Sequence, residues 1–339
     1  MKKLILSVLL IPAVFSAQQT VSRDAEIANY VSQVSADSLK SHINKLVSFG
    51  TRHTMSSTTD AKKGIGAARN WVLSKFKNYA KNSDGRMEVF LQSQTIQPDG
   101  KRINQPTDLG NAIAILRGTD PNDKRIFMIG GHLDSRVSDV MNAKDFAPGA
   151  NDDGSGVGAV IESARILSQS KFPATIVFVA FSGEEQGLLG AKMLAEKAKN
   201  ENWQLEALLN NDMIGNNLSS ETNLINANQL RVFSEGLPQF DLDKKAQGIR
   251  NLGLENDGEA RQLARYIKEI GERYVDNLEV KLIYRNDRFL RGGDHTSFVN
   301  QGFSAVRLTE FNENYDHQHQ DIRKENGKQF GDLPEFMDF

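Results

Sequence analysis

The chain has 339 residues, with 41 Lys and Arg against 43 Asp and Glu, and no cysteine. A net charge of −2 without a basic stripe excludes the electrostatic footprint of a nucleic-acid binder, and the lack of Cys excludes disulfides and thiol chemistry. At 39% hydrophobic and 25% charged residues, the make-up is that of an ordinary globular protein.

Lys2 and Lys3, the apolar run 4–15 and the small pair Ser16-Ala17 read as a signal peptide over residues 1–17. The run falls short of the ~20 residues that span a bilayer. The expectation is an exported protein, periplasmic or extracellular, with no stable membrane anchor. Residues 18–339 then form a single domain, long enough to bury its core without staples. In 24–48, Ile27, Val31, Val34, Leu39, Ile43 and Leu46 recur at helical spacing. Ile65, Ala68, Trp71, Val72, Phe76 and Tyr79 do the same over 61–80. This helical N-terminal segment, about 24–80, carries no evident chemistry, and His42 and His53 read as structural.

Strand patterns follow at 87–96, 112–117 and 125–131, then a helix over 154–168 and a buried strand at 175–181. A helix over 187–199 and a strand over 205–213 come next. After a long polar stretch come a helix at 259–275, a strand at 278–284, a short helix after Gly293 and a strand at 304–310. The alternation predicts an α/β fold, with a mostly parallel central sheet flanked by helices on both faces. The stretch 236–258 has no readable role beyond a loop, and the ending GDLPEFMDF reads as a helix start.

Five metal-capable side chains stand at strand ends or in glycine-rich turns: His132, Asp152, Glu185, Asp212 and His295. Their settings are GGHLDS (130–135), PGANDDGSG (148–156), FSGEEQG (181–187), NNDMIG (210–215) and GGDHTSF (292–298). Open α/β sheets bind ligands at the carboxyl ends of their strands, so these segments can converge on one edge. Neutral imidazole and carboxylate together suit zinc, and two imidazoles disfavour calcium. Two adjacent divalent cations fit the set, and the implied chemistry is metal-assisted hydrolysis. Asp152, among small residues, is the candidate bridging carboxylate, and Asp153 beside it reads as a structural hydrogen-bonding group. Glu184 and Glu185 diverge at a strand end, so Glu185 can hold a metal while Glu184 acts as general base. Asp134 is placed behind His132, whose second ring nitrogen needs an acceptor. His317 and His319, in HQHQD (317–321), read equally as extra ligands or as a solvated loop.

Together the five strings resemble the secreted co-catalytic zinc aminopeptidases, the family that also includes glutaminyl cyclases and a glutamate carboxypeptidase branch. The resemblance covers about residues 45–321 and implies the zinc-exopeptidase fold with two zinc ions per chain. It assigns His132 and Asp212 to one zinc, Glu185 and His295 to the other, and Asp152 to both. It makes Glu184 the general acid/base, with Asp134 behind His132, and puts a cis peptide at Asp152-Asp153. More weakly, it sets Tyr315 and His317 beside the substrate. The implied substrate is a peptide with a free N-terminus. A carboxypeptidase or deacylase of the same ligand logic, or a glutaminyl cyclase, is the alternative.

Overall fold

Ser35 divides the N-terminal helical stretch in two. Helix α1 (Ala25–Ser32) is capped by Asp24, which accepts from the N–H groups of Glu26 and Ile27. Helix α2 (Ala36–Val47) starts afresh at Ser35, which accepts from Ser38 N–H. Each cap satisfies donors that a helix start leaves without partners. Glu162 also accepts Ser35 N–H at 2.9 Å, so the break is fixed from outside the helices. The periodicity of 24–48 predicts one helix because spacing alone does not register that interruption. Helix α3 (Gly64–Ala80) buries Ile65, Ala68, Val72, Phe76 and Tyr79.

These observations come from a computed structural model that describes residues 23–235, 248, 251–252, 254–285 and 292–339. The expected signal peptide, 1–17, lies outside the described residues, as do 236–247, 249–250 and 253 of the stretch without a readable role. The eight strands of the main sheet are β1 (Met87–Ile96), β2 (Thr107–Leu116), β3 (Arg125–His132), β4 (Thr175–Phe181), β5 (Gln204–Asn211), β6 (Gln229–Phe233), β7 (Glu279–Ile283) and β8 (Ala305–Glu310). They lie in the order β1-β2-β4-β3-β5-β8-β6-β7. The central β4, β3, β5 and β8 are parallel neighbours. Strands β1 and β2 join antiparallel on one side, and β6 pairs antiparallel with β8 on the other. The sheet is therefore mixed but mostly parallel, as expected. A minor pair, β9 (Arg323–Glu325) and β10 (Lys328–Phe330), forms a separate hairpin.

Two strands differ from the sequence expectation. Strand β2 begins at Thr107 rather than 112, because its polar start pairs in register with β1, Ile96 opposite Thr107. Strand β6 falls in the polar stretch, and only Val232 and Phe233 in it are buried, so it offers no apolar run to read.

Helices α2, α3 and α4 (Gly154–Leu167) share one core with the sheet, built around Leu46, Phe76, Val160 and Phe178. Helices α5 (Leu189–Asn200) and α7 (Asp294–Val299) share a second, around Phe181, Leu194, Leu208 and Phe298. Helix α6 (Glu259–Tyr274) covers the β6–β7–β8 end through Ala264, Val232, Val280 and Val306. Central strands covered on both faces explain the near-continuous apolar runs of β3 and β4. A groove of about 960 Å³ lies between α6 and the sheet, lined by side chains such as Phe127, Ile129, Trp203 and Ile267. It is larger than the cavity at the strand ends, yet it contains none of the candidate ligands. Among the described residues, no helix is long and apolar enough to cross a membrane.

Candidate metal centre

The four parallel strands deliver the site. In spatial order, β4 leads to Glu184 and Glu185, β3 ends at His132, β5 leads to Asp212, and β8 leads to a loop that carries His319. Asp152 arrives just before α4. Backbones crowd here, and an added Cβ at Gly156 would sit 2.4 Å from Asn211 O and 2.5 Å from Asp153 Oδ1. Only glycine lets α4 start that close to the β5 end, which accounts for the small residues of GANDDGSG.

Two triads of ligand atoms result, His132/Asp152/Asp212 and Asp152/Glu185/His319, each with its atoms within 4.8 Å of one another. His132 Nε2 lies 3.0 Å from Asp152 Oδ1 and 3.8 Å from Asp212 Oδ1. His319 Nε2 lies 2.8 Å from Asp152 Oδ2 and 2.7 Å from Glu185 Oε1. Asp152 thus turns one oxygen to each imidazole. A tetrahedral zinc with nitrogen and oxygen ligands at ~2.0–2.1 Å sets those ligands roughly 3.3 Å apart, so the donor set fits. The buried Glu185 Oε1 has no aligned hydrogen-bond donor, in keeping with a position meant for a cation.

The electrostatics say the same. Burial pushes the His319 pKa down, but Glu185 and Asp152 outweigh it and raise it to about 10. Burial opposes ionisation of Asp152, yet His319 and His132 hold it well below the usual carboxylate range. Burial pushes the Glu184 carboxyl well up, against His132 and together with Glu185 and Asp212. Four carboxylates in one buried cavity require positive charge, whether protons or metal ions supply it.

His295 is the correction to the expected ligand set. It belongs to neither triad, and its Nε2 faces Glu235 Oε1 at 3.3 Å. Helix α7 buries all six of its residues, so His295 points into the fold beside the end of β6. His319 takes the position instead, in a left-handed backbone conformation (φ +55) that is uncommon for a residue with a side chain. Its signal in the sequence is HQHQD, whose reading as a loop or as ligands the spacing alone leaves open. Tyr315 and His317 do not line the ligand cavity. His317 stacks on Phe336 at 3.8 Å, and Tyr315 N–H donates to Ser220 Oγ.

Asp134 is close to His132 but arranged differently from the expectation. The His132 Nδ1 partner is the main-chain oxygen of Asp134 at 3.1 Å, while the carboxylate stands 3.8 Å away. That carboxylate accepts the N–H groups of Gly183, Glu184 and Glu185 at 2.8, 3.2 and 3.0 Å. It therefore fixes the turn that carries both glutamates. Asp153 has the structural role read from the sequence, accepting from the N–H groups of His132, Gly156 and Met213 and tying three ligand segments together. The Asp152-Asp153 peptide is cis.

Three supporting residues carry no sequence motif. Asp332 accepts from the N–H groups of Asn151 and Asp152. The buried Arg52 donates to the carbonyls of Leu133, Pro148 and Gly149, joining the β3 end to the Asp152 turn. Arg307 Nε lies 3.1 Å from Asp212 Oδ2. All three act through tertiary proximity, which no local pattern encodes.

The profile of peptidase family M28 matches residues 111–333, the span that contains every one of these ligands. The chain belongs to peptidase family M28. A probable zinc metalloprotease of Leptosphaeria maculans is 45% identical to this M28 member over 316 residues, covering 93% of the chain and 73% of that protein. A probable zinc metalloprotease of Pyrenophora teres is 44% identical over 319 residues, covering 93% of the chain and 65% of that protein. The chain thus spans about two thirds of the length of such relatives. The Legionella pneumophila LapA aminopeptidase shares its fold at a TM-score of 0.64 and 19% identity, over 96% of this chain and 74% of that one. A Porphyromonas gingivalis glutaminyl cyclase does so at 0.57 and 19%, over 90% and 92%. M28 membership meets the resemblance read from the five strings, and zinc-dependent peptide hydrolysis is the class of chemistry that comes with it.

Proposed function

We propose that this M28 member is a zinc-dependent aminopeptidase that removes N-terminal residues from peptides and holds two zinc ions. The observation that carries this reading is Asp152, whose two oxygens face His132 and His319 in two separate triads. His132 and Asp212 would hold one ion, Glu185 and His319 the other, and Asp152 both. Zinc bound there supplies a Lewis acid for the scissile carbonyl and a water of lowered pKa. Glu184 lines the same cavity and belongs to neither triad, so it is free to take the water proton and pass it to the leaving amine. The Asp134 carboxylate keeps Glu184 in place through the N–H groups of its turn. The cavity of about 440 Å³ suits the end of a peptide rather than a folded chain.

Mass spectrometry of an unblocked hexapeptide, its N-acetylated form and its C-amidated form tests this reading. The expected result is stepwise loss from the free amino end, stopped by acetylation and unaffected by amidation. Trimming from the carboxyl end would replace the reading with a carboxypeptidase, and no cleavage of any of the three would remove it. We propose in addition that the enzyme is exported, on the strength of Lys2, Lys3 and the apolar run 4–15. Protein recovered from expressing cells should begin near residue 18, and recovery with Met1 intact inside the cell would refute export.

A further inference from the structure

Apart from its ligands, the cavity is lined among the described residues by four cationic side chains, Arg102, Arg136, Lys192 and Arg307. They come from four places: the loop between β1 and β2, the segment after β3, helix α5 and strand β8. Among the described residues, the anionic side chains lining it are Asp152, Glu184, Glu185 and Asp212. Two divalent ions would offset those four carboxylates, and neutral imidazole ligands add no charge. Arg307 faces Asp212 and Arg136 faces Glu185, and with the four carboxylates offset by ions these two cations, Arg102 and Lys192 make the described lining of the loaded cavity positive. A cleft lined by one sign of charge focuses its field on an incoming ligand of the other sign.

Two of these cations are held in place. Asp99 accepts the N–H groups of Lys101, Arg102 and Ile103, each at 2.8 Å, and so shapes the tip of the β1–β2 loop. Arg102 Nη1 then donates to Glu185 O at 2.5 Å, which seats the loop over the ligand-bearing turn. Arg136 Nε is buried 3.7 Å from Glu185 Oε2 and has no hydrogen-bond partner. A buried donor without an acceptor is costly unless a ligand supplies one. No described lining residue offers a carboxylate beyond the four above, so a cationic substrate side chain finds no counter-charge there.

We infer that Arg102, Arg136 and Lys192 bind a carboxylate of the substrate, so that the cavity selects peptides with an anionic group close to the scissile bond. The inference rests on the peptidase reading of the site. The carboxylate has two sources: an acidic side chain at the amino end of a peptide, or the free terminus of a dipeptide. Charge-assisted bonds of this kind separate charged from neutral ligands by roughly 10- to 100-fold.

The test is calorimetric binding to the zinc-loaded Glu184→Gln protein, alongside kcat/KM on the wild type. One pair is Ala-Ala and its amide, and the other is Glu-Ala amide and Gln-Ala amide. Within at least one pair, the carboxylate-bearing member should bind roughly 10- to 100-fold tighter, and the preference should weaken with added salt. The first pair reports a terminal carboxylate and the second an acidic side chain. Arg136→Gln and Lys192→Gln should each reduce the preference, and Lys192 is exposed on α5, so its replacement leaves the fold intact. Equal binding within both pairs, or a preference untouched by both replacements, overturns the inference. Hydrolysis without charge preference would leave the peptidase reading standing alone. Carboxylate-selective binding without hydrolysis would do the reverse.

Discussion

Glu184→Gln should lower kcat by about 10²- to 10⁴-fold, the usual share of a positioned general base, while the zinc content stays that of the wild type. Glutamine keeps the shape of the side chain and removes its capacity to accept and return a proton. Glu184 stands next to Glu185 in the chain yet outside both ligand triads, so the metals should not depend on it. Its turn is held by the Asp134 carboxylate through three N–H groups, none of which the replacement touches. The measurement is kcat on the unblocked hexapeptide, with metal content by elemental mass spectrometry on the same sample. A fall below ten-fold would show that the proton leaves by another route. Loss of zinc would move Glu184 into the ligand set.

On the two-zinc proposal, the wild type should bind two zinc ions and His319→Ala one, with kcat/KM lowered by about 10³-fold or more, since a metal ion contributes several kcal/mol of transition-state charge stabilisation. It removes the imidazole that meets both Asp152 Oδ2 and Glu185 Oε1. His295→Ala is the paired control. That side chain is fully buried in α7 against Glu235, so its loss should cost about 1–3 kcal/mol of stability and leave both metals in the folded protein. Metal content and thermal unfolding of the two variants separate the roles. If His295→Ala loses a metal and His319→Ala keeps both, His295 rather than His319 completes the second site.

Much of this site is legible in the sequence because it is built on strand ends. A buried parallel strand announces itself as an apolar run, and the first polar residue after it marks its carboxyl end. That locates His132 directly and places Glu184, Glu185 and Asp212 within a few residues of a run's end, and the glycines around Asp152 report how closely backbones pass there. The fifth candidate ligand is harder, because His319 lies well beyond β8, in a loop whose polar residues look like any solvated turn. GGDHTSF has the glycine frame of a ligand segment, but that frame serves the tight entry to α7, and its histidine is packed away. Whether an imidazole points to a cavity or into the core depends on the helix it rides, which spacing does not encode. Strand β6 and the Ser35 break were hidden for a similar reason, since partners elsewhere in the chain fix both.

The order in which these groups leave the ribosome has a consequence of its own. Domains generally fold as units, and His132, Asp152, Glu185 and Asp212 are all made long before His319. Until His319 is made, a growing chain cannot complete the Asp152/Glu185/His319 triad, and until Arg307 is made, Asp212 lacks the guanidinium beside it. Asp332, which holds the Asp152 backbone, comes later still. The candidate centre is complete only when nearly the whole described chain is in place, so an unfinished molecule carries an incomplete site.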